Sequence, residues 1–209
     1  MKKAVIFDLD GTLWDCSQQI VEPWNQVFCA AGLSQTFTHA DSCACMGKTV
    51  EQIAEMLFPQ LPLDQGIKLV EDCCEAEIAS LSQTGGSPYP LLRESLQELK
   101  KSYHLYIVSN CQDGYIQAFL SYHDYWDLIE DFECIGRTGR CKGDNIRLVM
   151  ERNGINAAFY VGDTASDQVA AEHAGIPFLH ANYGFGKVED AQQLERISDI
   201  AAKAKQIFS

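Results

Sequence analysis

Residues 3–15, KAVIFDLDGTLWD, constrain the fold of this 209-residue chain more than any other stretch. The apolar run 4–7 contains β-branched residues and predicts a short strand that is buried on both faces. Side chains alternate along an extended chain, so Asp8 and Asp10 can share one face where this strand ends. Gly11 then permits the chain to turn sharply away from the strand. Two carboxylates so close repel each other unless one is protonated or a cation lies between them.

The Asp8/Asp10 pair predicts both a metal site and a reactive carboxylate. A hard divalent cation such as Mg²⁺ prefers oxygen ligands and keeps several of its waters, so it suits this position. One carboxylate can attack as a nucleophile while its neighbour transfers protons. The alternative is a strand followed by an Asp-rich turn with no chemical role.

Charge and apolar patterning limit the partners. The formal net charge of −13 and a pI near 4.7 argue against nucleic acid or an anionic membrane surface as a partner. A small anionic substrate stays possible, because a metal and a few donors act locally. The N-terminal apolar run is too short for a signal peptide, and no stretch approaches the roughly 20 apolar residues of a membrane span. We therefore expect a cytoplasmic protein whose nine cysteines are reduced thiols.

The order of predicted elements indicates an α/β fold with a doubly wound parallel sheet and a small inserted all-α domain. After residue 90, apolar strands at 105–108, 132–135, 157–161 and 176–179 alternate with helical patterns, and helices are expected over 188–207. Residues 16–81 show helical spacing only, at 20–31, 50–57 and 67–81, and the Gly- and Pro-containing stretch 82–90 is typical of a linker. The expected domains are a catalytic core, 1–15 and 83–209, and a helical cap, 16–82.

Polar residues follow three of the predicted strands, where ligands bind in such sheets. Asp8 with Asp163 and the backbone carbonyl of Asp10 would form an oxygen-rich Mg²⁺ site, and Asp167 follows Asp163 one helical turn later. Ser109 offers a hydroxyl and a backbone N–H to an oxyanion. The alternatives are helix capping for Asp163 and a simple turn for Ser109.

These motifs together resemble the haloacid dehalogenase-like superfamily. DLDGT, VSN, a lone lysine and VGDTASD occur in that order, and the stretch 160–186, YVGDTASDQVAAEHAGIPFLHANYGFG, is the most specific part. The helical insertion directly after the first motif is similar to the C1-type cap of that superfamily. The phosphoglycolate phosphatase-like and β-phosphoglucomutase-like branch is the nearest in appearance.

The resemblance implies a role for each motif residue in phosphoryl transfer. Asp8 would be the nucleophile that forms an aspartyl-phosphate, and Asp10 would protonate the leaving oxygen and later activate water. Ser109 would bind the transferring phosphoryl group, with the Asn110 amide nearby. Lys142 would neutralise charge on Asp8 and the phosphoryl oxygens. Gly143 stands where many relatives have proline, so the assignment of Lys142 depends on chain order, with Arg137 or Arg140 as possible substitutes.

The remaining expectations concern the metal and the cap. Asp163, Asp8 and the Asp10 carbonyl would bind Mg²⁺, and Asp167 would orient metal-bound waters. Lys48, which follows Gly47 in the insertion, would bind the substrate, or it is a solvated lysine. The cap would move as a lid hinged at residues 14–16 and 83–88, with backbone freedom supplied by Gly85 and Gly86.

The predicted function is Mg²⁺-dependent hydrolysis of a small phosphorylated metabolite by an aspartyl-phosphate phosphatase. A phosphoglucomutase of the same fold is the alternative, in which a sugar hydroxyl replaces water as the acceptor. A receiver-like signalling domain also combines an acidic cluster, a Ser/Thr and a Lys on parallel strands, but it would be about 120 residues long with no helical insertion. The sequence contains no feature that specifies an oligomeric state.

Overall fold

The computed structural model describes residues 1–209 and contains eight strands. They are β1 (Lys3–Phe7), β2 (Trp14–Asp15), β3 (Ser87–Pro88), β4 (His104–Ser109), β5 (Asp131–Cys134), β6 (Ala157–Gly162), β7 (Phe178–Ala181) and β8 (Gln192–Leu194). Six of them form one sheet in the order β5-β4-β1-β6-β7-β8, and every neighbouring pair is parallel. The predicted doubly wound parallel sheet is confirmed.

Ten α-helices surround and extend this sheet. They are α1 (Val21–Ala30), α2 (His39–Cys45), α3 (Val50–Leu57), α4 (Leu63–Thr84), α5 (Leu92–Lys100), α6 (Tyr115–Tyr122), α7 (Ile135–Thr138), α8 (Lys142–Arg152), α9 (Ala165–Ala174) and α10 (Ile200–Ile207), and a 3₁₀ turn covers Ile197–Asp199. Helices α1 to α4 lie together between β2 and β3 in the chain, and we call them the helical insertion. None of the helices is long and apolar enough to cross a bilayer.

Strand β1 is buried on both faces, as its apolar run predicts. Val5 and Phe7 belong to the larger hydrophobic cluster, which continues into the helical insertion. Ala4 and Ile6 point to the opposite face and pack in a second cluster with residues of α8 and α9. The alternation of side chains along one central strand therefore contributes to two separate cores.

The predicted linker is more ordered than its composition suggests. Helix α4 continues to Thr84, so the first part of the stretch 82–90 is helical. The next part pairs with the chain on the other side of the insertion, because β3 and β2 form an antiparallel ribbon with Trp14 opposite Pro88. The two connections to the helical insertion are thus joined to each other by backbone hydrogen bonds.

Gly85 and Gly86 are packed tightly, which corrects the idea that they serve only as flexible hinge residues. Gly85 has a φ of +65°, and a Cβ atom built there would lie 2.3 Å from a ring carbon of Tyr122. A Cβ atom on Gly86 would lie 2.7 Å from the Trp14 ring. Both glycines are required because two aromatic rings approach the backbone, so a lid hinged there stays a prediction.

Two further local predictions were wrong or incomplete. Residues 188–207 contain a strand, β8, which adds to the sheet edge beside β7, before a single α-helix. Helix α2 was not anticipated, although Thr38 and Asp41 form a capping box at its start. Lys142 is the first residue of α8. All nine cysteines are free thiols.

Candidate active site

The order of the central strands brings the predicted polar residues to one edge of the sheet. Strand β1 lies between β4 and β6, so the residues that follow or end these strands are neighbours. Asp8 follows β1, Ser109 ends β4, and Asp163 follows β6; all three side chains are buried. The backbone N–H of Asp8 donates to the carbonyl of Val161 at 2.8 Å, which extends the ladder between β1 and β6 to Asp8.

Lys142 reaches this cluster from the start of α8. Its Nζ lies 3.1 Å from Oδ1 of Asp8 and 2.6 Å from Oδ1 of Asp167, and the residue is only 4% exposed. Burial opposes the charged form, but Asp167 and Asp8 hold the pKa of Lys142 above its usual value. Arg137 instead pairs with Glu133 at 3.5 Å, away from Asp8. The structure therefore places the lysine, and not this arginine, beside the candidate nucleophile.

Asp163 is held by the loop that follows β7. Its Oδ2 accepts a 2.7 Å hydrogen bond from the backbone N–H of Phe185. A Cβ atom on Gly11 would lie 2.2 Å from the same oxygen, and one on Gly184 would lie 2.3 Å from the Asp163 Cβ. These two glycines let the backbone approach the carboxylate closely, so the glycine of the DLDGT motif has a packing role at the site.

Asp167 has two partners inside the protein. Its Oδ2 accepts from the backbone N–H and the hydroxyl of Thr164, at 2.9 and 2.7 Å, and its Oδ1 pairs with Lys142. Thr164 and Asp167 thus form the capping box of α9, so the residue that caps this helix is Thr164 and not Asp163. Asp167 anchors the catalytic lysine candidate to the start of the helix.

The acidic cluster has the chemistry of a site for a hard cation. Carboxylate oxygens of Asp8, Asp163 and Asp167 lie within 4.8 Å of one another, and buried Oδ1 of Asp8 has only the ion pair with Lys142 as a partner. Burial, together with the neighbouring carboxylates, raises the pKa of Asp8 to about 7 and that of Asp163 to about 8. A divalent cation would remove this repulsion, and the all-oxygen donor set fits Mg²⁺.

Asp10 faces the cluster from the first turn after β1. Its Oδ1 accepts hydrogen bonds of 2.8 Å from the Trp14 indole and 2.8 Å from the Tyr115 phenol, and the Cys16 thiol lies 3.4 Å away. Burial raises the pKa of Asp10, and these donors oppose the rise. One oxygen is therefore fixed by the protein, which leaves Oδ2 for a reacting group.

A cavity of about 60 Å³ separates the sheet edge from the helical insertion. Asp8, Asp10 and Ser109 of the core line it, together with Lys48 of the helical insertion. Asn110 also lines it, and its side-chain amide donates to the carbonyl of Gly47 at 3.2 Å. The insertion is therefore in contact with the core beside the site, and the predicted substrate-binding residues Ser109, Asn110 and Lys48 surround one space.

Sequence reasoning missed three side chains of this site. Tyr115 has no local signal, because it begins an ordinary amphipathic helix. Trp14 follows the first motif, but its hydrogen bond to Asp10 depends on the turn. Glu77 lines the cavity and did have a signal, because it falls at helical spacing within the buried stripe of α4 formed by Val70, Cys73, Cys74 and Leu81.

Comparison with known proteins identifies a family for this chain. The family model for the haloacid dehalogenase-like hydrolases matches residues 5–181. A plasmid-encoded phosphoglycolate phosphatase of Cupriavidus necator is 26% identical, with 87% of this chain and 81% of the relative covered. A phosphoglycolate phosphatase of Agrobacterium fabrum is also 26% identical, with coverage of 100% and 93%.

The fold is also similar to solved structures. The crystal structure of a haloacid dehalogenase-like hydrolase from Bacteroides fragilis superposes with a TM-score of 0.83 at 20% identity, with coverage of 96% of this chain and 100% of the other.

Proposed function

The chain belongs to the haloacid dehalogenase-like hydrolase family, and on that basis we propose that it is a Mg²⁺-dependent phosphatase that acts through an aspartyl-phosphate. One observation carries the proposal: the buried carboxylate of Asp8 lies 3.1 Å from the Lys142 ammonium and shares a cavity with Asp10 and Ser109. Phosphoryl transfer requires little beyond positioning and charge neutralisation, and these groups supply both.

The metal would be held by Asp8, Asp163 and the backbone carbonyl of Asp10. Mg²⁺ bound there would neutralise charge on Asp8 and on the phosphoryl oxygens. Asp167 would not bind the metal directly. It would hold Thr164 and Lys142 in place and would orient metal-bound waters.

In the first chemical step, an Asp8 oxygen attacks phosphorus and the bond to the leaving oxygen breaks. Asp10 gives its proton to that oxygen, so an alcohol leaves and an acyl phosphate remains on Asp8. In the second step, Asp10 takes a proton from water, which attacks phosphorus and releases phosphate and the Asp8 carboxylate. Lys142, Ser109 and Asn110 would hold the phosphoryl oxygens in both steps.

The proposed substrate is a small phosphorylated metabolite, similar in size to the substrate named for the phosphoglycolate phosphatase relatives. Lys48 on the cavity wall would bind an anionic tail. A mutase would need a cavity that admits a sugar hydroxyl and excludes water. A receiver-like domain does not fit the fold, because a helical insertion follows the first strand. We also propose that the protein is cytoplasmic and that it binds neither nucleic acid nor a membrane.

The test is hydrolysis of an aryl phosphate and of a panel of small phosphomonoesters with Mg²⁺, without Mg²⁺ and with EDTA. We expect activity only with the metal, and none for Asp8→Asn, because an amide cannot attack phosphorus. Asp10→Asn should still bind Mg²⁺ but turn over roughly 10² to 10⁴ times more slowly. Full activity in metal-free enzyme, or turnover by Asp8→Asn whose mass excludes deamidation, would contradict the mechanism.

A further inference from the structure

Glu77 is a buried carboxyl group in the helical insertion. It is 6% exposed and lies on α4 among apolar and thiol side chains. Its Oε2 accepts a 2.7 Å hydrogen bond from the Trp24 indole, which fixes the side chain. Burial raises the pKa of Glu77 to about 8, and the hydrogen bond from Trp24 opposes that rise.

The Glu77 side chain faces the candidate active site. It lines the same cavity as Asp8 and Asp10, while Oε2 is already engaged by Trp24. The Tyr115 phenol, which donates to Asp10, also lies close enough to lower the pKa of Glu77, and the charge of Asp10 raises it. Glu77 is therefore near the residue that would protonate the leaving oxygen, on the side where the rest of the leaving group must lie.

A purely structural role explains only half of this geometry. An acceptor for the Trp24 indole is useful, because that ring is buried and stacks on Phe37 with centroids 4.4 Å apart. An amide or hydroxyl would serve this purpose without the cost of burying an acid. The nearby Tyr115 phenol also favours the ionised form of Glu77, but that phenol donates its hydrogen bond to Asp10, so the second oxygen, Oε1, is left for another partner. A buried polar atom beside a cavity is satisfied by water or by a ligand.

The cavity favours a neutral ligand group at this point. A buried water needs roughly 10–15 Å³ of such space, so a cavity of about 60 Å³ holds only a few small groups. Asp8, Asp10 and Glu77 already supply acidic groups, and Lys48 supplies a basic one. A hydroxyl adds no charge, and it can donate to a carboxylate or accept from a carboxylic acid, so it fits Glu77 in either protonation state.

We propose that Glu77 determines substrate specificity by hydrogen-bonding a hydroxyl group of the leaving alcohol, so that the preferred substrates are phosphomonoesters whose alcohol carries a second hydroxyl group, with or without the anionic tail that Lys48 would bind. This inference rests on the proposed phosphatase function and specifies its substrate class. A site built to bind a hydroxyl rejects the analogue that has a methyl group there, because the carboxyl group is then left unpaired.

The experiment compares size-matched substrates. 2-Hydroxyethyl phosphate, n-propyl phosphate and 2-aminoethyl phosphate differ only in the terminal group, and an aryl phosphate reports the chemistry alone. We expect kcat/KM of the wild type to favour the hydroxyl over the methyl substrate by about 10-fold or more. Glu77→Met should abolish this preference, whereas Glu77→Gln, which keeps an acceptor for Trp24 and a second polar group, should retain it.

Glu75→Met is the matched control, because Glu75 is exposed on the same helix. It should leave the preference unchanged. A wild-type kcat/KM ratio near one for the hydroxyl over the methyl substrate would overturn the specificity role, and so would an equal loss on all substrates in Glu77→Met. In either case, hydrolysis of the aryl phosphate would still support the phosphatase function. A preference for the amino substrate that Glu77→Gln removes would show a cation site instead. Failure to hydrolyse every substrate would overturn the proposed function and this inference with it.

Discussion

The phenol of Tyr115 donates a 2.8 Å hydrogen bond to Oδ1 of Asp10. The residues are 105 positions apart in the chain, and the Trp14 indole donates to the same oxygen. Both donors favour the ionised form of Asp10, and together they fix which carboxyl oxygen faces the cavity. Tyr115 is thus a positioning residue for the proposed acid/base.

Tyr115→Phe should raise the pKa of Asp10, because it removes a hydrogen bond to the ionised carboxyl group. In the proposed mechanism the dephosphorylation step needs ionised Asp10, so the acid side of its pH–rate profile should move to higher pH. A loss of about 1–2 kcal/mol would slow that step roughly 5- to 30-fold with little change in KM. Single-turnover decay of the phosphoenzyme across pH measures both effects. Tyr122→Phe on the same helix is the control, and an unshifted profile for Tyr115→Phe would remove Tyr115 from this role.

Metal affinity should depend on pH through the carboxyl groups of Asp8 and Asp163. Burial is the main reason that their pKa values rise to about 7 and 8, so the metal-free site holds protons near neutrality. Mg²⁺ must displace these protons, so its affinity should rise between pH 6 and 8 and level off above. Titration calorimetry in two buffers of different ionisation enthalpy would detect the released protons. A pH-independent Kd would contradict the prediction.

The same two groups predict how the stability of the metal-free protein varies with pH. Their folded pKa values lie above the usual 3.8, so the unfolded chain releases these protons at lower pH than the folded protein. Their contribution to the free energy of unfolding is therefore complete below about pH 4 and is lost as pH rises to about 8. Mg²⁺ should reverse the loss at high pH. Urea denaturation with and without Mg²⁺ at pH 6 and 8.5 tests the sign, and the metal should stabilise more at the higher pH.

Gly85→Ala should cost more stability than its backbone conformation alone explains. Gly154→Ala is the reference, since Gly154 has a φ of +62° and open space where a Cβ would lie. Gly85 combines a φ of +65° with a ψ of 175°, a region essentially restricted to glycine, so Gly85→Ala carries a larger backbone cost than Gly154→Ala. The clash with Tyr122 adds about 1–3 kcal/mol to that cost, and this added part should vanish in a Tyr122→Ala background. Urea denaturation measures all four variants, and an equal cost of Gly85→Ala in both backgrounds would mean that the packing at Tyr122 adjusts freely.

Lys48→Ala should affect binding of an anionic tail and leave the chemical step unchanged. Lys48 lines the same cavity as Asp8, where its charge can bind a carboxylate on the substrate. KM for 2-phosphoglycolate should rise by the equivalent of ~1.5–3 kcal/mol, while hydrolysis of a neutral-tailed aryl phosphate stays the same. Lys68→Ala, an exposed lysine in the same insertion, is the control. An equal loss on both substrates would assign Lys48 to the chemistry or to folding, and no loss on either would make it a solvated lysine.

The sequence alone determined the sheet and the residues at its edge. A strand that is apolar on both faces must lie inside a parallel sheet, and the carboxyl ends of parallel strands meet at one edge. Asp8, Ser109 and Asp163 each come at the end of such a strand, so their proximity follows from local patterns. Lys142 was identified only by its order in the chain, because nothing in its own helix distinguishes it from a solvated lysine.

Only the tertiary structure revealed the contacts that tune these residues. Glu77 occupies a buried helical position, but its partner Trp24 lies 53 residues away, and no local spacing predicts a hydrogen bond between them. The same holds for Tyr115 and Asp10. The pair Gly85 and Gly86 has the composition of a flexible linker, yet the rings of Tyr122 and Trp14 determine its role. Local patterns report which face of an element is buried, whereas the identity of the groups that meet there depends on how distant elements pack.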